Sequence, residues 1–169
     1  LGVVQPEAVE QQVAGRAGHA QRNVVVDELG PAEQVEDAVA GRELLPRLAR
    51  GEILFAYGLS EPDVGGDLAS AAVAARLEDD GRSVVVNGTK RWCTGARIAD
   101  YIYTLVRSGP ADERYRNLSL LLVPAAAPGL TIVDIDHSGL RYAATTDVIY
   151  DEVRVPVENV VRLASFHGW

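Results

Sequence analysis

From residue 52 onward, hydrophobic and polar residues alternate in short runs that are separated by turn residues. Phe55, Tyr57 and Leu59 alternate with smaller residues up to Glu61-Pro62, which is the two-residue period of a β-strand. Later runs end at turn signals such as Asp79-Asp80-Gly81, and Asn87-Gly88 predicts a further hairpin turn. The predicted strands after the first are 71–77, 83–86, 89–94, 101–107, 118–123, 130–135 and 147–155. This pattern predicts a mainly β fold, an antiparallel β-barrel or sandwich.

The chain before residue 52 has a helical pattern instead. Pro31 suits the first turn of one helix, and Pro46 suits the start of a second, short helix that Gly51 would end. Residues 1–30 contain no motif. We therefore predict three parts: a helical N-terminal remnant at 1–51, an antiparallel β domain at 52–157, and at 158–169 the start of a helical domain that the chain does not contain.

Composition narrows the possible partners. The net charge of −8 argues against nucleic acid, which requires a basic surface. No apolar run approaches the roughly 20 residues that span a bilayer, and no signal peptide is visible. Cys93 is the only cysteine, so a four-cysteine zinc site is excluded, no metal site is predicted, and a reducing cytoplasm is the simplest location. The histidines are interpreted as surface residues: His19, His137 and His167.

Two stretches carry candidate chemistry. Ser60 precedes a turn formed by Pro62 and Gly65-Gly66, where a hydroxyl beside unpaired backbone N–H groups could hold an anionic or carbonyl-rich ligand. Trp92 and Thr94 lie two residues apart and so share one side of a predicted strand. Ordinary loop chemistry, core packing of the aromatic rings and strand-edge hydroxyls are the competing interpretations.

Three ordered motifs together resemble the acyl-CoA dehydrogenase family. The first is AYGLSEP at 56–62 with Gly65 and Asp67, and the second is NGTKRWCT at 87–94. The third comprises GLR at 139–141, Thr146 and VRVP at 153–156. The resemblance covers residues 44–161. It implies the middle β domain of such an enzyme, preceded by short α-helices and forming a fragment of a larger α+β protein.

The resemblance implies an FAD site on this domain. Tyr57, Leu59 and Ser60 are expected along the flavin, the Thr94 hydroxyl near N5, and Trp92 over one ring face. Gly65 and Gly66 would permit close approach of the pyrophosphate and the thioester end of CoA. The expected cofactor-binding residues are Tyr57, Leu59, Ser60, Gly65, Gly66, Trp92, Cys93 (through its backbone) and Thr94.

No residue of the chain is predicted to be catalytic. The base of the family is a carboxylate in the helical domain that this chain lacks, so Glu61 is not assigned that role. Asp67 is expected to fasten its turn by local hydrogen bonds. Cys93 is a poor nucleophile candidate because no histidine lies near it in the sequence. Val64 and Gly66 depart from the family pattern, which has a small residue and a hydroxyl at these positions.

The function implied is the FAD-dependent α,β-dehydrogenation of an acyl-CoA thioester, with hydride transfer to flavin N5. An electron-transfer flavoprotein or similar acceptor and a dimeric or tetrameric parent are implied with it. The chain alone is expected to be inactive and to bind FAD weakly or not at all. The alternatives are an acyl-CoA oxidase or flavin monooxygenase of the same superfamily, or a truncated, non-catalytic β binding module. The flavin interpretation requires Tyr57, Ser60, Trp92 and Thr94 to face one groove.

Overall fold

A computed structural model of the chain describes residues 40–78, 80–109, 117–139 and 144–161. Within these ranges one eight-stranded sheet has the order β6-β7-β3-β2-β4-β5-β8, and β1 pairs with β4 beside this path. The strands are β1 Phe55–Gly58, β2 Ala74–Leu77, β3 Ser83–Thr94, β4 Tyr101–Arg107, β5 Leu118–Pro124, β6 Leu130–Asp134, β7 Thr145–Pro156 and β8 Val160–Val161. The predicted mainly β fold is confirmed.

The sheet is not purely antiparallel, which corrects one detail of the prediction. β1 runs parallel to β4 over Tyr101–Thr104, and β2 also runs parallel to β4, where Ala74 pairs with Arg107. Since β5 occupies the other edge of β4, β1 and β2 lie one after the other along the same edge. Residues 59–73, which connect β1 to β2, therefore leave this edge of β4 and return to it.

The main core lies on one face of a curled sheet. Alternate residues of the strands point to this face, because strand side chains alternate between faces. Buried residues from distant strands, such as Val123 of β5 and Val148 of β7, belong to one cluster. Ile132 of β6 and Val160 of β8, from the two ends of the sheet order, pack against the same cluster. The sheet therefore curls around its core.

A helical segment covers part of the opposite face. A π-helical turn, Ala40–Leu44, leads into α1, Leu45–Ala49. Leu44 packs with Ile53 and with Leu122 of β5. Pro46 lies in the first turn of α1, and Gly51 follows with φ +70°, so the predicted start and end of this helix are confirmed. The predicted helix after Pro31 and the segment 1–30 lie outside the described residues.

The predicted hairpin at Asn87-Gly88 is wrong, because β3 passes through these residues without turning. Both halves of β3 pair with β7, and the register shifts between Val86 and Gly88. The Asn87 amide explains why the chain does not turn: its Nδ2 donates to Glu152 Oε1 at 2.7 Å, and its Oδ1 accepts from the Glu152 N–H at 3.0 Å. The bulge at this register shift lies in β7, where Asp151 and Glu152 together oppose Asn87 of β3.

Short 3₁₀ turns complete the described structure, at Leu68–Ser70, Ala96–Ile98 and Val157–Asn159. Val160 and Val161 pair with β5, so the sheet extends past residue 157.

His137 is half-buried, and its Nδ1 lies 2.6 Å from the Ile135 carbonyl, which corrects the surface interpretation; His19 and His167 lie outside the described residues. No helix among the described residues is long and apolar enough to cross a membrane.

Candidate functional site

The site is built on the connection between β1 and β2, residues 59–73, which we call the neck loop. It begins with a tight turn in which the Glu61 N–H donates to the Val64 carbonyl at 2.8 Å and the Val64 N–H returns a bond to the Glu61 carbonyl at 3.2 Å. Farther along, the Ser70 hydroxyl donates to Asp67 Oδ2 at 2.7 Å. This bond confirms that Asp67 fastens its turn.

A buried ion pair closes the loop where it leaves and rejoins the sheet. The Glu61 carboxylate accepts the backbone N–H groups of Ala72 and Val73 at 2.8 and 3.0 Å. Lys90 of β3 donates from Nζ to Glu61 Oε1 at 2.7 Å and to the Leu59 carbonyl at 3.0 Å. The Glu61 carboxylate is thus fully engaged by the fold, which agrees with leaving it out of the catalytic assignments.

The second motif lies on β3, where a bulge changes the direction of its side chains. Lys90 pairs with Val148 and Cys93 pairs with Thr146, so two residues of β3 oppose only Asp147 of β7. Trp92 occupies the bulge with φ +64°. The bulge shifts the strand alternation by one residue, so Cys93 turns into the core while Trp92 and Thr94 are exposed.

Hydrogen bonds fix both sides of this bulge. The Arg91 guanidinium donates to both oxygens of Asp147, at 3.0 and 2.9 Å, and its central carbon lies 5.9 Å from the Trp92 ring centroid. The Thr146 hydroxyl donates to the Cys93 carbonyl at 2.8 Å. The Thr94 and Thr145 hydroxyl oxygens lie 3.3 Å apart. Two adjacent hydroxyls therefore stand beside an exposed indole.

Burial shifts the pKa values of the two groups next to the bulge, Lys90 and Cys93. Desolvation lowers the pKa of Lys90, and its bond to Glu61 opposes that shift. Desolvation raises the pKa of the Cys93 thiol to about 12, with the charge of Asp147 acting in the same direction. Since the thiolate is the nucleophilic form, a buried thiol of this kind is inert, in agreement with the sequence interpretation.

The structure brings the two motifs together. The Arg91 N–H donates to the Ser60 carbonyl at 2.8 Å, so the neck loop lies directly beside the bulge that carries Trp92. Tyr57 is 67% exposed and Trp92 is 57% exposed, which excludes the interpretation of these rings as core aromatics. Leu59 and Ser60 are half-buried, Thr94 is exposed, and the Cys93 side chain is fully buried.

The two glycines of the neck loop are not required by packing. A Cβ added to Gly65 or Gly66 would meet no atom within 4 Å, and neither residue has a positive φ. The fold itself would therefore accept a side chain at either position. Free space above an exposed loop is what close approach of a ligand would require.

The arrangement combines exposed aromatic faces with nearby hydroxyl groups, and such a surface can stack against a planar heteroaromatic ring and hydrogen-bond to its edge. Tyr57 is supported from below by an edge-on contact with Tyr103, at 5.8 Å between centroids and 89° between planes. Among the described residues, no three His, Cys, Asp or Glu side chains are grouped as metal ligands would be.

Sequence reasoning missed three residues of the site: Lys90, Arg91 and Thr145. Their partners lie 29, 56 and 51 residues away in the chain, so no local pattern reveals them. The one available signal was a lysine within an otherwise strand-like segment, where a charge is unexpected unless it is exposed or paired.

Comparisons with known proteins give the family. The model for the middle domain of acyl-CoA dehydrogenases matches residues 56–153. Acyl-CoA dehydrogenase FadE29 of Mycobacterium tuberculosis is 35% identical over 167 residues, which are 95% of this chain and 42% of that protein. The chain thus spans less than half the length of this curated relative.

Solved structures agree with the sequence match. The ChsE4-ChsE5 complex from Mycobacterium tuberculosis is 36% identical with a TM-score of 0.64, covering 78% of this chain and 31% of that one. A glutaryl-CoA dehydrogenase from Mycobacterium smegmatis in complex with FADH2 is 31% identical with a TM-score of 0.63, covering 82% and 33%. Because the family model covers more than half of the 169 residues, the chain belongs to the acyl-CoA dehydrogenase family.

Proposed function

We propose that this chain supplies the flavin-facing wall of an FAD-dependent acyl-CoA dehydrogenase. The observation that carries the proposal is the 2.8 Å bond from the Arg91 N–H to the Ser60 carbonyl, since it joins the two motifs into one exposed surface. The relative in complex with FADH2 supports the choice of cofactor. When bound, FAD would accept a hydride from the β-carbon of an acyl-CoA thioester.

The residues present fit that cofactor. Trp92 would cover one face of the ring system, and Tyr57 would lie along it with Leu59. The Ser60 hydroxyl would face the pyrimidine end and stabilise the negative charge that reduction creates there. The Thr94 hydroxyl, supported by Thr145, would donate or accept a hydrogen bond near N5.

Gly65 and Gly66 would leave room for the pyrophosphate and the thioester end of CoA, because nothing fills the space above them. The Cys93 side chain is buried, so Cys93 would contribute only through its backbone. We assign no catalytic base in this chain. The proposal also carries the wider expectations of the resemblance: an acyl-CoA substrate, an electron-transfer flavoprotein or similar acceptor, an oligomeric parent and a cytoplasmic location.

Titration with FAD, followed by NMR of the labelled chain, tests the proposal. We expect weak binding, with a Kd on the order of 1 mM or above, and no turnover of acyl-CoA. FAD should shift the Trp92 indole N–H and the amides of Ser60 and Thr94. Replacing Trp92 with alanine should abolish the remaining shifts.

A matched control is the replacement of Leu45, another exposed hydrophobic residue, which lies in α1 outside the site. Leu45→Ala should leave the FAD response unchanged. Shifts that map away from Ser60 and Thr94, or equal losses in the two alanine variants, would overturn the proposal. Tight yellow binding that acyl-CoA bleaches would contradict the expected inactivity of the chain.

A further inference from the structure

The neck loop is held at its base by a side chain rather than by strand pairing. Glu61 stands where the loop begins, and Ala72 and Val73 stand where it ends. The two ends are joined because one carboxylate accepts both backbone N–H groups. A loop closed in this way depends on the carboxylate remaining in place.

Lys90 holds that carboxylate from the neighbouring strand. Its ammonium group is fully buried, so water cannot solvate the charge, and the Leu59 carbonyl and the Glu61 carboxylate take that role. These two acceptors flank Ser60 in the chain. Lys90 therefore donates hydrogen bonds to the residues on both sides of Ser60, Leu59 and Glu61.

The next residue of β3 completes the attachment, because the Arg91 N–H bonds to the Ser60 carbonyl itself. Trp92 follows immediately, at the bulge. We propose that Lys90 is a positioning residue, which fixes the Ser60 segment against the Trp92 bulge and so sets the shape of the flavin-facing surface. This inference rests on the proposed function, and it adds a residue that contacts no ligand.

Two variants test the role of Lys90. Lys90→Met removes the ammonium group but keeps a long side chain, and Lys90→Gln retains one N–H donor and is the gentler change if the first variant folds poorly. Val153→Ala is the control for lost stability, since Val153 is a buried core residue of β7 that belongs to the main core cluster.

The first measurement needs no flavin. Amide hydrogen exchange is recorded for Arg91 and, as an internal reference, for the β4–β5 ladder. In the Lys90→Met chain the Arg91 amide should exchange about tenfold faster relative to that ladder, with a smaller change in Lys90→Gln. In Val153→Ala the ratio should remain that of the wild type. An unchanged ratio in both Lys90 variants would overturn the inference.

The second measurement repeats the FAD titration. The FAD-induced shift of the Trp92 indole should shrink severalfold in both Lys90 variants and persist in Val153→Ala. A full wild-type response in Lys90→Met would overturn the positioning role, even if the loop had loosened. If the wild-type chain shows no response to FAD, the proposed function fails and the flavin-positioning role fails with it; a faster Arg91 amide would then still identify Lys90 as the anchor of the loop.

Discussion

Trp92 has a backbone conformation that a bulky residue rarely adopts. Its φ of +64° lies in the left-handed region, which costs a non-glycine residue roughly 1–2 kcal/mol. The Trp92 side chain contributes little stabilisation to offset this cost, because more than half of it is exposed. Arg91 is its one cation–π partner among the described residues. Strain of this kind persists where the surrounding structure imposes it, often at a functional site.

This strain predicts that, at position 92, a glycine variant is more stable than an alanine variant, which is the reverse of the usual order within a strand. A protein with glycine within a strand is normally less stable than one with alanine at the same position, by roughly 0.5–1 kcal/mol. At position 92 we expect Trp92→Gly to be more stable than Trp92→Ala by about 1 kcal/mol, because only glycine adopts this φ without cost. Urea unfolding of the two variants measures the difference. A more stable alanine variant would show that the bulge is not strained.

Site residues could be predicted from the sequence where they belong to a local motif. They could not be predicted where their role depends on a partner that is distant in the chain. Tyr57, Ser60, Trp92 and Thr94 could be selected from two short stretches. Their exposure could not, because a single extra residue in β3 decides which side chains turn outward. Lys90 was passed over since its partner Glu61 belongs to a different element.

At the scale of the element, β3 shows why the predicted hairpin was wrong. Asn-Gly is a strong turn signal, but in this chain the pair continues through β3 opposite a bulge of β7 at Asp151 and Glu152. Gly88 has φ +131°, and the Val73 backbone at the end of the neck loop packs closely against it. Long-range pairing of both halves of β3 with β7 decided between the two structures.

This packing predicts that a side chain at position 88 destabilises the fold. A Cβ at this position would lie 2.9 Å from Val73 Cγ2 and 3.1 Å from Val73 Cα, in addition to the unfavourable φ. We expect Gly88→Ala to lower the free energy of unfolding by about 2 kcal/mol or more. The control is Gly65→Ala, which meets no atom within 4 Å and should change stability by less than about 0.5 kcal/mol. Equal effects of the two substitutions in chemical denaturation would contradict the close packing of Val73 against Gly88.

At the scale of the whole molecule, alternation predicted the strands well but not their arrangement. The run 101–107 coincides with β4, and 118–123 falls within β5. The parallel placement of β1 and β2 along one edge of β4 leaves no mark in either strand, because it depends on how the chain closes the neck loop. The site is thus a product of topology acting on two recognisable motifs.

Two buried titratable groups of the core, Cys93 and Tyr150, predict how the cooperative unfolding of the whole domain depends on alkaline pH. Burial raises the pKa of Cys93 from 9.0 to about 12, and burial also raises the pKa of Tyr150, although its hydroxyl contact with Thr104 acts the other way. Both groups stay protonated in the folded chain at a pH where the unfolded chain has lost the proton. The stabilisation is complete below the unfolded pKa and is lost as the pH rises toward the folded pKa.

Cys93→Ala isolates one of these contributions. Between the unfolded and folded pKa of Cys93, the wild type should lose about 1.4 kcal/mol of unfolding free energy per pH unit through this thiol, and the variant should not. At neutral pH the variant should be less stable by about 1 kcal/mol because a small cavity replaces the sulfur atom. Urea unfolding at about pH 8 and about pH 11 should therefore show the gap between the two proteins closing or reversing, since a group that must remain neutral costs stability only where the unfolded chain can ionise. A gap that stays constant would mean that water reaches the thiol, and that the bulge at Trp92 does not seal this end of the core.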